Sequence, residues 1–501
     1  MRKKPNIIYI LADDMGYGDI SYLNKDSKIN TVCLDQLASE GIVFRDAHSS
    51  SAVSTPSRYS ILTGRYNWRS WLKEGVTFGY DKGLIEPGRV TVPSLLRENG
   101  YKTACIGKWH LGWSWTKNGE EESDVDFQQP IKDGPISHGF DYFYGLSASL
   151  DMPPYVYVEN DMVTAVPDRI IPASTGKGFW REGPIAPDFK HENVLSNLTE
   201  KSLSWIEDCS KEESPFFLYF SLTAPHTPIL PDPKFQGKSG TNEYGDFCQH
   251  IDDIVGQVMS KLKSLGIEDE TILIFTSDNG CSPMADFKEL DAVGHKPSYI
   301  FRGHKADIYE GGHRIPLLIR WPERIKPGRA CDETVCLVDL LATCADILDV
   351  KLPDNAGEDS VSNLPLWEGK EFDISLREAT VHHSIDGSFS IRKGRWKLEM
   401  CPGSGGWSYP ASEEDCEGLP DIQLYDLEAD IGETSNVYSD HDEVIEELKS
   451  LLTSYIKNGR STPGEIQHNF GDITWKQLWW MLSRTPDNIV ESTVSNDLKC
   501  H

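Results

Sequence analysis

The sequence predicts an α/β protein: a large, mostly parallel sheet flanked by helices, then a smaller C-terminal α+β domain with an antiparallel sheet. Three observations predict it. Short, nearly all-apolar runs bounded by polar turns recur through the first three quarters of the chain, as strands covered on both faces require. Helical patterns with one apolar face separate them. Beyond the loop at 353–373 the runs shorten and alternate in polarity, the mark of a half-buried antiparallel sheet.

The elements follow in order. Residues 6–12 form a first buried strand that ends in Asp13-Asp14. The preceding Met1-Arg2-Lys3-Lys4-Pro5 faintly imitates a signal peptide, but the apolar run is short and lacks a small-residue cleavage site. A helix over 33–40 stops at Gly41. The serine-rich stretch at 49–69 leads into a second helix, with Pro56 at its first position, Thr55 as cap and Gly64 past its end. Ser54 then stands immediately before a helix N-terminus, where unpaired N–H groups favour an anion, with Arg58 in the first turn. Ser49, Ser50 and Ser51 read as turn residues only.

Further along, Gly107-Lys108-Trp109-His110 follows a strand and sets Lys108 and His110 on one side of an extended segment. The strand at 216–222 presents His226 at its carboxyl end, between Pro225 and Pro228. A long helix over 242–265 turns Ile251, Ile254, Val255, Val258 and Leu262 to one face and stops at Gly266. The strand at 271–276 runs into Asp278-Asn279-Gly280. Residues 380–383, 388–392 and 396–400 read as a meander, followed by a strand-like 424–427 and a helix over 443–456. The expected domains are 1–375 and 376–501, the second contributing to the rim of the pocket.

Composition excludes several functions. A net charge of −29 repels nucleic acid and anionic membranes at long range, so an anionic substrate needs a few convergent cations in a pocket. No apolar run approaches the roughly 20 residues of a membrane span. The 11 cysteines show no CxxC spacing, which argues against a zinc site. Cys401 and Cys416 flank a Gly/Ser/Pro-rich loop and could pair in an oxidising compartment, or remain free thiols.

Ligands of open α/β sheets gather at the carboxyl ends of strands. If the strands before Asp13-Asp14 and Asp278-Asn279 are central and parallel, these four side chains form an oxygen cage suited to Ca²⁺ or Mg²⁺. The plain alternative is that each pair caps a helix or turns the chain. Ser54 lacks the Gly-x-Ser-x-Gly elbow of common hydrolases. Lys108, His110, His226 and Lys305 add cations and proton donors for an anion lying against a divalent metal.

Taken together, Leu11-Ala12-Asp13-Asp14, Ser54-x-Pro56-Ser57-Arg58 with Leu62-Thr63-Gly64-Arg65, Gly107-Lys108-Trp109-His110, Pro225-His226, Ser277-Asp278-Asn279-Gly280, and Lys305 with Glu310-Gly311-Gly312-x-Arg314-x-Pro316 resemble the type I sulfatases of the alkaline phosphatase superfamily. Leu424-Tyr425-Asp426-Leu427 with Gly432-Glu433 resembles that family's C-terminal domain. The resemblance implies an alkaline-phosphatase-like fold and a serine-type enzyme, in which a maturase oxidises Ser54 to formylglycine. It implies Ca²⁺, ahead of Mg²⁺, held by Asp13, Asp14, Asp278, Asn279 and position 54. It gives Arg58 and Lys108 the ionised nucleophile, His110 a proton to accept, Lys305 the sulfate oxygens, and His226 the leaving alcohol.

A sulfated carbohydrate, galactose- or N-acetylgalactosamine-based, is the expected substrate, with His138, Asp151, Arg302 and His304 as hydrogen-bonding residues of the rim. The Trp407-Ser408-Tyr409 loop is a further place from which the C-terminal domain could close over the site. Serine-type maturation points to a bacterial, periplasmic or secreted enzyme whose signal has been removed; a cytoplasmic one fits the same residues. Two rivals remain at this point: a phosphoester or phosphonate hydrolase of the same superfamily, and a sulfated-glycan-binding protein whose Ser54 stays unmodified.

Overall fold

The structure, a computed structural model, describes residues 4–372 and 375–482. The basic start at 1–3, the end of the 353–373 loop and the tail beyond 482 lie outside the described residues. The main sheet is built from β1 (Asn6–Asp13), β2 (Ile42–Phe44), β3 (Lys102–Lys108), β4 (Tyr142–Leu146), β5 (Val158–Glu159), β6 (Met162–Val163), β7 (Phe216–Pro225), β8 (Thr271–Ser277), β9 (Leu317–Arg320) and β10 (Arg329–Cys331). Their order is β10-β2-β9-β8-β1-β7-β3-β4-β5-β6. The three longest apolar runs lie together: β1 pairs in parallel with β7 and with β8, and every residue of the three strands is buried. Burial on both faces explains why these runs carry no polar alternation. β9 is antiparallel to both of its neighbours, so the sheet is mixed at that edge.

Helices α1 (Val32–Ser39), α2 (Ser54–Thr63), α3 (Val194–Cys209), α4 (Glu243–Leu265) and α5 (Leu340–Ile347) flank the sheet. α3 and α4 pack on β7 and on each other, α1 packs beside α4, and α2 packs with α5. α4 shows how closely local sequence sets an element. The Asn242 side chain accepts from the amides of Tyr244 and Gly245, and Gly266 ends the helix with a left-handed φ of 69°. No helix among the described residues is long and apolar enough to cross a membrane.

A second, antiparallel sheet has the order β11 (Thr380–His383), β12 (Phe389–Lys393), β13 (Trp396–Glu399), β14 (Gln423–Asp426), covered by α6 (Asp442–Lys457). Val381, Phe389, Ile391, Leu398, Leu448 and Leu452 form its core, which Tyr66 and Trp68 of the first unit join. A buried ionic cluster rivets the two sheets. Lys397 of β13 reaches Glu433 at 2.7 Å and Glu310 at 3.3 Å; Arg314 pairs with Glu310 at 3.0 Å and Asp46 at 2.7 Å; Arg392 of β12 meets Asp46 at 2.8 Å. Burial opposes the charge on Glu310, but Lys397 above all holds its carboxyl well below the ordinary range. Burial raises the neighbouring Glu399 well above its own.

Candidate active site

β1 and β8 run in register to their ends, with Ala12 opposite Ser277, so the residues that follow emerge side by side. Asp14 takes a left-handed φ of 71°, and its amide donates to Asp278 Oδ1 at 3.2 Å. α2 starts at the same edge. It begins at Ser54 itself, with Val53 as its extended cap, so Pro56 is the third helical residue rather than the first. The helix ends at Gly64 in the left-handed conformation, as expected. The preceding serines are more than turn residues: all are buried, and Ser49 and Ser50 hydrogen-bond Ser57 and Ser60 at 2.6 and 2.7 Å, tying the loop to its helix.

Ser54 Oγ donates to Asp278 Oδ2 and lies 3.4 Å from Asp13 Oδ1. It accepts from Arg58 Nε at 3.0 Å and from Lys108 Nζ at 3.0 Å. Arg58 Nη2 also donates to Asp278 Oδ2 at 2.8 Å, while Lys108 Nζ reaches Asp13 Oδ2 at 2.7 Å. Lys305 Nζ completes the set on Asp14 Oδ2 at 2.8 Å. These residues are all buried. Burial works against the Asp13 charge, but Lys108, His226 and Arg58 bring its carboxyl down to about 2. Burial lowers Lys108 despite Asp13, whereas Asp14 and Asp13 overcome burial and raise Lys305.

His110 and Lys108 do not share an extended segment. The chain turns at His110, whose φ is 58°. The ring's Nε2 hydrogen-bonds the Thr77 carbonyl at 2.7 Å, and buried Nδ1 has no hydrogen-bond partner. Burial, then Lys108 and Arg58, holds this imidazole well below its usual pKa. It is a neutral ring with Nε2 as the donor and a bare acceptor at Nδ1.

His226 Nδ1 donates to the Thr227 carbonyl at 2.6 Å, which leaves Nε2 facing Ser149 Oγ at 3.4 Å and Asp14 Oδ2 at 3.8 Å. Asp151 Oδ1 stands 3.9 Å from Nδ1 and makes no hydrogen bond, while its Oδ2 takes Arg181 Nη1 at 2.5 Å.

The other rim expectations separate. His304 precedes Lys305 and lies against Phe287 at 5.2 Å, its Nδ1 3.0 Å from the Lys305 carbonyl. Arg302 is turned to the C-terminal unit, with Nη1 on the Glu433 carbonyl at 2.7 Å and its guanidinium 3.9 Å over Tyr309. His138 is buried and parallel to Trp109 at 6.4 Å, and its carbonyl accepts from Thr91 at 2.6 Å. Cys401 and Cys416 are free thiols, Cys401 donating to the Gly403 carbonyl at 3.3 Å.

Sequence reasoning missed Ser149, which accepts from Lys108 at 2.7 Å, and Ser221, which accepts from Arg58 and donates to the Lys108 carbonyl at 2.7 Å. Ser221 had a signal: it is the one hydroxyl in the apolar core of β7 besides Tyr219 and Thr223. Arg181 had none, being an ordinary loop cation.

The donor set fits a hard divalent cation. Asp13, Asp14 and Asp278 supply carboxylate oxygens, and the buried Asn279 Oδ1 has no hydrogen-bond partner although its Nδ2 donates to Asp14. Charge counting agrees. Three carboxylates face Arg58, Lys108 and Lys305, so the formal charges cancel and the protein alone offers a sulfate or phosphate little net attraction. A second group of ligand-type residues, His48, His313 and His382, lies at the junction of the sheets. There the His313 and His382 rings stack at 3.9 Å and 8°, so their in-plane lone pairs run parallel instead of meeting at one point.

Comparison with known proteins agrees with this geometry. The family model described as Sulfatase matches residues 5–350, and that described as N-sulphoglucosamine sulphohydrolase, C-terminal, matches 303–458. The chain is 36% identical to an N-acetylgalactosamine-6-O-sulfatase of Bacteroides thetaiotaomicron, over 90% of this chain and 93% of that one. It is 30% identical to the N-acetylgalactosamine-6-sulfatase of Rattus norvegicus, over 87% and 83%. A solved structure from work on glycosaminoglycan metabolism by Bacteroides thetaiotaomicron superposes with a TM-score of 0.79 at 34% identity, covering 90% of this chain and 99% of that one.

Proposed function

From the premise that this chain belongs to the sulfatase family, and is a sulfuric ester hydrolase, we propose that it removes the 6-O-sulfate of an N-acetylgalactosamine or related galactose-type sugar in a glycan. The observation that carries the chemistry is the position of Ser54 Oγ, in contact with Asp13, Asp278, Arg58 and Lys108 at once. What supports the sugar is the 36% identity to a bacterial N-acetylgalactosamine-6-O-sulfatase along nearly the whole chain. A maturase acting on Ser54 and export to the periplasm belong to the same reading, as does a domain boundary near residue 375.

Formylglycine at position 54 would supply a hydrated aldehyde as the nucleophile. A Ca²⁺ held by Asp13, Asp14, Asp278 and Asn279 would lower that nucleophile's pKa and offset charge on the sulfuryl group. The remaining work falls to the chain's own side chains. Arg58 and Lys108 hold negative charge at position 54, since both already donate to its oxygen. His110 accepts a proton at Nδ1, the atom its Thr77 hydrogen bond leaves bare. Lys305 binds sulfate oxygens from the Asp14 side. His226 delivers a proton from Nε2 to the leaving alcohol, with its Nδ1 hydrogen committed to Thr227 and the Asp14 and Asp151 carboxylates 3.8 and 3.9 Å from the ring nitrogens.

The test is sulfate release from a panel of defined sulfated monosaccharides and oligosaccharides, using protein matured in the cell or a Ser54→Cys variant. Preferential release from the 6-position of N-acetylgalactosamine is expected. Release from glucosamine 6-sulfate alone would move the substrate. Faster hydrolysis of a phenyl phosphate than of the matching phenyl sulfate would sink the sulfatase reading, and an intact mass at Ser54 with no turnover would favour glycan binding alone.

A further inference from the structure

Trp407 and Tyr409 are 43% and 74% exposed, on a loop whose backbone is held fast. The amides of Trp407 and Ser408 both donate to Asp307 Oδ1, at 2.8 and 3.0 Å. The Ile308 amide donates to the Ser404 carbonyl at 2.7 Å, and the Asp386 amide to Gly405 at 3.2 Å. Gly406 packs so closely that a Cβ there would lie 2.4 Å from the Ala306 carbonyl oxygen. From the other end, Gln423 Nε2 donates to the carbonyls of Cys401 and Gly403, both at 2.9 Å.

The segment that clamps this loop, 304–308, is the one that carries Lys305 into the carboxylate cluster. Its own backbone is tied to the site's floor, Lys305 N to the Cys281 carbonyl at 2.9 Å and Ala306 N to the Ala52 carbonyl at 2.8 Å. The loop is therefore anchored, through Asp307, two residues along the chain from a cation of the site. Neither aromatic ring contacts another ring or a cation among the described residues. What sets these two apart from the other exposed aromatics is that they lie two residues apart on one clamped loop, and their fixed backbone means little is lost in ordering them.

Resting on the carbohydrate reading of the site, we propose that Trp407 and Tyr409 form a stacking platform for the pyranose ring joined to the sulfated sugar. The enzyme then favours a sulfated residue at the end of a longer chain over the free monosaccharide. A pyranose presents an apolar face of C–H groups that matches an aromatic ring, and an uncharged face avoids the repulsion that a chain of net charge −29 exerts on polyanionic surfaces. The C-terminal unit thereby contributes to substrate length selection, whereas the sulfate itself is handled by the first unit.

The test compares wild type with Trp407→Ala, Tyr409→Ala and the double variant on two substrates: N-acetylgalactosamine 6-sulfate and a tetrasaccharide ending in that residue. The double variant should lose about tenfold in kcat/KM on the tetrasaccharide, mainly through KM, and stay within twofold of wild type on the monosaccharide. Equal losses on both substrates, or no loss on the tetrasaccharide, overturn the proposal. A second arm needs no turnover: calorimetric titration of the tetrasaccharide into Ser54→Ala protein with and without the two aromatics. Weaker binding without them is expected, and equal affinity or no binding in either overturns the platform. Wild type that releases no sulfate from either sugar while the titration still depends on the aromatics overturns the hydrolase reading and supports the platform.

Discussion

His226 and Asp151 face each other at 3.9 Å, Nδ1 to Oδ1, and Arg181 fixes the far oxygen of the same carboxylate at 2.5 Å. Asp151 thus sets a negative charge beside the proposed leaving-group acid without taking the hydrogen that Nδ1 gives to Thr227. Asp151→Asn keeps the shape and removes the charge. It should lower kcat on a sugar sulfate about tenfold while changing 4-nitrophenyl sulfate hydrolysis much less. Parallel losses on both substrates would mean that Asp151 only supports the loop.

His226→Ala should separate the substrates further. An alkyl leaving group needs its proton far more than a phenol does. The sugar sulfate should therefore lose about 10²- to 10³-fold and the aryl sulfate under tenfold, measured by sulfate release and by nitrophenol absorbance.

Asp13→Asn tests the charge balance of the site. It leaves Lys108 and Arg58, both fully buried, with one carboxylate fewer between them. Breaking one side of a buried ion pair costs about 3–5 kcal/mol, so urea unfolding in chelator should show a loss of that order. Lys108→Met should lose less, because Asp13 keeps Arg58 and gains room for water. The opposite ranking would show that Lys108 is the keystone.

Chelation should abolish sulfate release and Ca²⁺ should restore it. The fold itself should persist, because three carboxylates and three cations already neutralise one another. Far-UV circular dichroism that collapses with chelator would overturn this balance.

Stability should fall in acid, in a definable window. Burial lowers His191 and His250 to about 4 and His383 to about 3, each from 6.5. The unfolded chain thus takes up these protons below about pH 6.5, while the folded state refuses them until about 4 or 3. The stability conferred by neutral rings is present above pH 6.5 and is lost as pH falls toward 4, by up to ~3 kcal/mol for each ring. Calorimetry at pH 7.5 and 5 should show a lower Tm at pH 5, and His250→Gln should shrink the difference. A Tm that rises on acidification contradicts the assignment.

Much of this was legible in the sequence because its causes are local. The apolar runs at 6–12, 216–222 and 271–276 suited doubly covered strands, and all became the sheet's centre. Asn242 and Gly266 marked both ends of α4. The convergence of Asp13, Asp14, Asp278 and Asn279 followed from two parallel strands that run into an Asp-Asp and an Asp-Asn pair. What escaped depended on turns. The left-handed backbone at His110 reversed an expected extended segment, and Arg302 was spent on the Glu433 carbonyl by a neighbour 131 positions away. Ser49 and Ser50 looked like turn filler because their partners, Ser57 and Ser60, show only once the helix is built.

The rivet between the two sheets bears on how such enzymes can be recombined. Glu310 and Arg314 belong to a motif of the first unit, Lys397 and Arg392 to strands of the second, and Glu433 to the loop after them. A chimera that grafts a foreign C-terminal sheet onto this scaffold must carry compatible residues at all five positions. Without Lys397 it would bury Glu310 and Glu433 against each other, and without Glu310 it would leave Arg314 and Arg392 to share Asp46 alone. Modular exchange is therefore open at 411–419, which faces water, and closed at the clamped 401–408 segment and along the seam beneath it.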